Sequence, residues 1–190
     1  MIKNILIPIT NGTEEGEAVI TADLLTRAGA NVIIAGLTED VTTSHNITIK
    51  PHILLSEIPA DRIYDAVCIP GGLKGVNTFL ESSLLHKIVL NNYNSNSFIC
   101  AICAAPLLLD MLNILQNEDK FTCYPSVISR INPERQSNYL DVPVVKTLDK
   151  NIITSQGLGT AFDFGLEIIK NLFDEEISNN IKEKIVLKKI

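Results

Sequence analysis

Residues 98–106, FICAICAAP, hold two cysteines at C-x-x-C spacing inside an apolar run that ends at a proline. That spacing can mean a redox dithiol or half of a zinc site. Neither fits an extended strand, where residues three apart point to opposite faces and lie roughly 10 Å from each other, beyond the reach of a disulfide. A thioredoxin-type pair sits in the first turn of a helix, whereas Pro106 marks the helix start here, after both Cys100 and Cys103. Zinc needs further ligands, and His45, His52 and His86 have no ligand spacing with each other or with the cysteines. What remains is a strand running into Cys103, two alanines, and a proline that opens the helix PLLLDML. A nucleophile on such a turn is pushed out over the strand ends, and the helix N-terminus behind it favours thiolate. Ala104 keeps the turn uncrowded and leaves its N–H free for an oxyanion. From these residues alone two readings stay open, an activated nucleophile and a buried inert thiol.

A nucleophilic thiol normally works with an acid or base. No histidine adjoins Cys103, which disfavours a Cys-His protease. The carboxylates of GTEEGEA are the alternative. Glu14 and Glu15 suit the first turn of a helix, but Glu17 shares a buried face with Ile20 and Leu24 by its i, i+3, i+7 spacing. An ionised Glu17 would repel a thiolate; a protonated one would donate a hydrogen bond to it, and the two would titrate as a unit. In PGGLKGVNT the pattern of a phosphate loop is incomplete, yet the bare N–H groups of Gly71 and Gly72 could approach an anionic oxygen. SQGLGTAF lacks the third glycine of a dinucleotide fingerprint, so no cofactor is expected there.

The elements that must position these residues follow from hydrophobic pattern. Apolar runs rich in β-branched residues (NILIPI, NVIIAGL, YDAVCIP, SFICAI, NIITS) alternate with stretches of helical period, beginning with a helix over about 14–28. Continuous apolar strands between helices predict an α/β fold with a mainly parallel sheet covered on both faces. NITIKP and VPVVKTLDKN read as a hairpin arm and an edge pair. Ligands in such sheets sit where strand ends turn into helices, so four turns compete for the site: TNGTEEGE, PGGLKG, CAAP and SQGLGT.

The chain has 190 residues, 46% of them hydrophobic, without repeat or linker, so one domain over 1–190 is expected. A formal net charge of −6 argues against nucleic-acid binding. The basic tail KEKIVLKKI reads as a helix end. The N-terminal apolar run is too short for a signal sequence or membrane span, and four scattered cysteines make no disulfide framework, so a cytoplasmic protein without metal is expected.

Taken together, EEGEAVITADLLTRAGANVIIAGL, YDAVCIPGGLKGVNT, SFICAICAAP and NIITSQGLGTAFDFGLEII resemble the ThiJ/PfpI superfamily, in its branch of YajL and the parkinsonism-associated deglycase. The resemblance spans nearly the whole chain. It implies a flavodoxin-like three-layer α/β/α sandwich, a homodimer, and an oxidation-sensitive elbow nucleophile at Cys103 with Glu17 as its protonated partner. It also implies a cofactor-independent deglycase or glyoxalase acting on methylglyoxal or early glycation adducts of proteins, or a redox-sensing, chaperone-like stress protein with little turnover. Substrate-facing positions by the same resemblance are Gly71, Gly72 and Ala104, with Arg27 in TRAGA as a further candidate. Three departures stand out: Ala104 follows the nucleophile where many members have histidine, Tyr124 in FTCYP replaces a histidine of several relatives, and His45 replaces an arginine. Tyr124 can donate a hydrogen bond but is a poor base near neutral pH.

Overall fold

The computed structural model describes residues 1–188. In chain order the elements are β1 (Asn4–Ile9), α1 (Glu15–Arg27), β2 (Asn31–Gly36), β3 (Val41–Thr42), β4 (Thr48–Ile49), β5 (Ile53–Leu54), β6 (Ala66–Ile69), α2 (Leu73–Glu81), α3 (Ser83–Asn94), β7 (Phe98–Ile102), α4 (Pro106–Met111), α5 (Pro133–Gln136), β8 (Val144–Lys146), β9 (Ile152–Ser155), α6 (Ala161–Leu172) and α7 (Glu175–Lys184). The expected helix over 14–28 forms one residue shorter at each end. Gly29, at φ +91°, lets the chain leave it in a left-handed turn, with the Ala30 N–H bonded to the Leu25 carbonyl.

Seven strands form one sheet in the order β5-β2-β1-β6-β7-β9-β8, and β3 pairs with β4 in a separate antiparallel arm. Every pairing in the large sheet is parallel except β8 with β9, the predicted edge pair. Both faces are covered, which is why the strands read as unbroken apolar runs. Ile5, Ile7 and Ile9 of β1 point into a layer shared with α1, α6 and α7, while Leu6 points into the opposite layer with α2, α3 and α4. The same alternation in β7 sends Ile99 and Ala101 one way and Cys100 the other. The result is the expected flavodoxin-like α/β/α sandwich. No helix among the described residues is long and apolar enough to cross a membrane.

The chain lays β2 on one side of β1 and β6 on the other, so the order reverses between β1 and β6. Loops leaving the carboxyl ends of strands at such a switch diverge and open a crevice. The turns after β1, β6, β7 and β9 all reach this end, as the competing motifs require. The basic residues expected to end a helix do so in part: Lys182 and Lys184 lie in the last turn of α7, whereas Lys189 and Ile190 fall outside the described residues.

Candidate active site

Cys103 follows β7 directly and adopts φ +64°, a left-handed conformation that costs a residue with a Cβ roughly 1–2 kcal/mol. The strain is held by hydrogen bonds on both sides. The Cys103 N–H donates to the Ser155 carbonyl at the end of β9 (2.9 Å), and its own carbonyl accepts from the Tyr124 N–H (2.8 Å). Pro106 then starts α4 as its first residue. The elbow predicted from CAAP is therefore present, with Ala104 buried behind it. Cys103 is the one cysteine of the four that is not fully buried.

Glu17, on the first turns of α1, is 1% exposed and reaches the same point. Its Oε2 accepts the Gly71 N–H at 2.7 Å. Its Oε1 has no conventional hydrogen-bond partner although it is buried. The place a Cβ would take on Gly157 lies 3.8 Å from this Oε1 and 4.0 Å from Cys103 Sγ, so oxygen and sulfur face one small space. A proton on Oε1, directed at sulfur, satisfies the otherwise orphaned oxygen. Gly71 must be glycine for this packing: a Cβ there would stand 2.5 Å from Cys103 Cβ and 2.7 Å from Glu17 Oε2.

Burial pushes the Glu17 carboxyl up to about 7, against the Gly71 N–H and Cys103, which lower it. Burial, and then the Glu17 charge, push the Cys103 thiol up to about 12, while the N–H groups of Gly72 and Ala104 directed at sulfur pull it down. The expected net lowering by the helix N-terminus is thus absent while Glu17 is ionised: α4 has only six residues, and burial outweighs it. The two groups titrate as a coupled pair, because an ionised Glu17 raises the Cys103 thiol and a protonated one does not. When Glu17 is protonated its repulsion vanishes, and sulfur meets three donors, Gly72 N–H, Ala104 N–H and the Glu17 O–H. Three donors to one anion strongly favour the charged form.

This pair ties stability to pH. A free glutamate ionises near 4.5, so between 4.5 and about 7 the folded chain keeps a proton that the unfolded chain has lost. Stability therefore falls as pH rises through that window, by on the order of 3 kcal/mol, and levels off above it. Urea denaturation of the wild type and of Glu17→Gln at pH 4.5 and pH 8 checks this. The difference between the two proteins should shift in favour of the variant at pH 8; parallel behaviour would contradict it.

Two sequence expectations are corrected. Gly71 does not offer its N–H to an oxyanion, because Glu17 already occupies it; of the two glycines only Gly72, at φ +85°, presents its N–H to the sulfur side. Arg27 is not at the site. It ends α1, ten residues beyond Glu17 and about 15 Å along the helix, where it is paired with Asp23 at 2.6 Å. Tyr124 lies at the mouth: it is 50% exposed, and its ring carbon Cδ2 comes within 3.5 Å of the Cβ position on Gly157. Gly157 is not among the expected site residues, although its turn, SQGLGT at the end of β9, is one of the four competing for the site.

His45 lies 2.9 Å from Glu15 Oε1, with Ser44 bonded to both Glu14 and Glu15. Glu14, Glu15 and His45 bring metal-ligand atoms within 4.8 Å of one another, an arrangement that His45–glutamate pairing explains without an ion. His52 accepts the Ile34 N–H and His86 bonds the Phe79 carbonyl, so each of these two rings is committed away from Cys103.

The chain is similar to known proteins over most of its length. Residues 3–171 match the model of the DJ-1/PfpI family. Protein dj-1beta of Drosophila melanogaster is 39% identical over 181 residues, 93% of this chain and 92% of that protein. The glutathione-independent glyoxalase DJR-1.2 of Caenorhabditis elegans is 33% identical over 186 residues, 97% of this chain and 96% of that one. Among solved structures, oxidized Toxoplasma gondii DJ-1 superposes with a TM-score of 0.91 at 29% identity, covering 98% of this chain and all of that one. The order of strands, the elbow and the long-range sequence match lead to one assignment: this chain belongs to the DJ-1/PfpI family.

Proposed function

We infer that the protein is a cofactor-independent glyoxalase of the cytoplasm that converts methylglyoxal to lactate, and that the same chemistry serves early glycation adducts as a deglycase. The observation that carries this is the buried carboxyl facing sulfur across the elbow, with a proton position on Oε1 and two N–H groups on Sγ. A relative of 33% identity bears the name glutathione-independent glyoxalase, which supports the reaction class.

In this reading the Cys103 thiolate adds to the aldehyde carbon, forming a C–S bond and an alkoxide next to the Gly72 and Ala104 N–H groups. Protonation gives a hemithioacetal. Glu17, now ionised, takes the proton from the former aldehyde carbon and returns it to the neighbouring carbon, which converts the adduct to a lactoyl thioester. Water cleaves the thioester, releasing lactate and restoring the thiol. In this reading Tyr124, at the mouth, donates a hydrogen bond to the substrate's second carbonyl oxygen. Lactate formed from methylglyoxal by purified protein without glutathione tests the activity, with Cys103→Ser as the control.

A second reading, redox sensing, draws on the same pair. Cys103 alone is partly accessible, and the Glu17 carboxyl beside it can hydrogen-bond the oxygens of a sulfinate. We also expect a homodimer. Val19, Leu158 and Phe162 are exposed apolar side chains, and Ile20, Leu158 and Phe162 line one hollow beside α1.

A further inference from the structure

Cys68 and Cys100 take no part in the chemistry above, yet they stand side by side. They are register partners on the parallel strands β6 and β7, so their side chains leave the same face of the sheet. Neighbouring strands lie about 4.8 Å apart, inside the Cα separation of roughly 4.4–6.8 Å that a disulfide spans. Both thiols are free, 1% and 0% exposed, and near enough that Cys68 helps to raise the Cys100 thiol. Around them the layer under α1 and α6 is mostly apolar, with Ala18, Ile102 and Phe164 among its members and Glu17 and Thr21 beside Cys68. Such surroundings penalise a charged product, whether sulfinate or metal thiolate. A disulfide is neutral.

We propose that Cys68 and Cys100 form a second redox site, a cross-strand dithiol that closes to a disulfide when the chain meets a two-electron thiol oxidant. Two S–H bonds break and one S–S bond forms; two electrons and two protons pass to the oxidant, reducing a diazene to a hydrazine or a hydroperoxide to water and an alcohol. Placement gives the bond a consequence for the site. Cys68 precedes Gly71 by three residues and Cys100 precedes Cys103 by three, so the link would fix the two strands that carry the N–H donors and the nucleophile. Burial holds the Cys100 thiol well above its ordinary value, so thiolate is scarce and the pair reacts after Cys103, as a later stage of oxidation.

The experiment uses folded Cys103→Ser protein treated with diamide, quenched in acid, unfolded, capped with N-ethylmaleimide and mapped without reductant. The expected result is a peptide joining Cys68 to Cys100, two fewer maleimides, a mass lower by about 2 Da for the two hydrogens lost, and full reversal by dithiothreitol. Adding Cys100→Ala to the same protein should abolish the link. Full capping of both thiols after a diamide treatment that oxidises the urea-unfolded chain completely would overturn the proposal, as would linkage of either thiol to Cys123. Wild-type protein treated with hydrogen peroxide runs beside it. Two added oxygens on the Cys103 peptide report the sensing reading of the active site separately, so either idea can fail alone.

Discussion

Serine in place of Cys103 should reduce lactate formation from methylglyoxal to background, a loss of at least ~10³-fold in kcat/KM. The change removes one sulfur and adds one oxygen at nearly constant shape, so the left-handed elbow and its hydrogen bonds to Ser155 and Tyr124 stay in place. What is lost is ionisation. A hydroxyl gives up its proton far less readily than a thiol, and no histidine stands by to take it. Circular dichroism and the thermal midpoint should match wild type, which separates lost chemistry from lost fold. Retained lactate production would remove Cys103 from the mechanism.

Glutamine in place of Glu17 should lower kcat by about 10²–10⁴-fold, the usual worth of a positioned acid-base group, while leaving the fold intact. An amide still fits between Gly71 N–H and sulfur, but it cannot carry a proton from one carbon to the next. Thiol addition then goes forward and the adduct stalls as a hemithioacetal, visible by mass spectrometry of protein mixed with methylglyoxal. Because the variant lacks the carboxyl proton that the folded wild type retains above pH 4.5, its stability relative to wild type should rise between pH 4.5 and pH 8. A variant that is less active and equally destabilised at both pH values would mean that Glu17 acts as a structural brace instead.

Much of this arrangement was legible in the sequence because each part has a local cause. Unbroken apolar strands declared a sheet covered on both faces, Pro106 fixed where α4 starts, and the spacing of Glu17 with Ile20 and Leu24 put its carboxylate on the buried side. What stayed hidden depends on pairing between distant segments. The Gly71 N–H looked free because its acceptor comes from Glu17, on another element, at 2.7 Å. Gly157 shows its role only when β9 lies beside β7. The neighbours Cys68 and Cys100 are thirty-two positions apart (100 − 68) and meet only through strand register, whereas the spacing that catches the eye, Cys100 with Cys103, joins nothing. Arg27 carried a family likeness into a position that the rise of α1 takes away from the site. The depth of burial that lifts both ionisations was also beyond residue spacing.

The central claim is that the first proton lost from the Cys103–Glu17 pair leaves the charge on sulfur. The rate at which iodoacetamide alkylates Cys103, followed from pH 5 to pH 10 in folded protein, tests it most directly. The account predicts a rise with its midpoint well below the ~8.5 of a free thiol, because a protonated Glu17 no longer repels the charge on Cys103. A midpoint at or above that free-thiol value would contradict it, since the charge would then rest on Glu17 and the sulfur would wait for the second ionisation near 12.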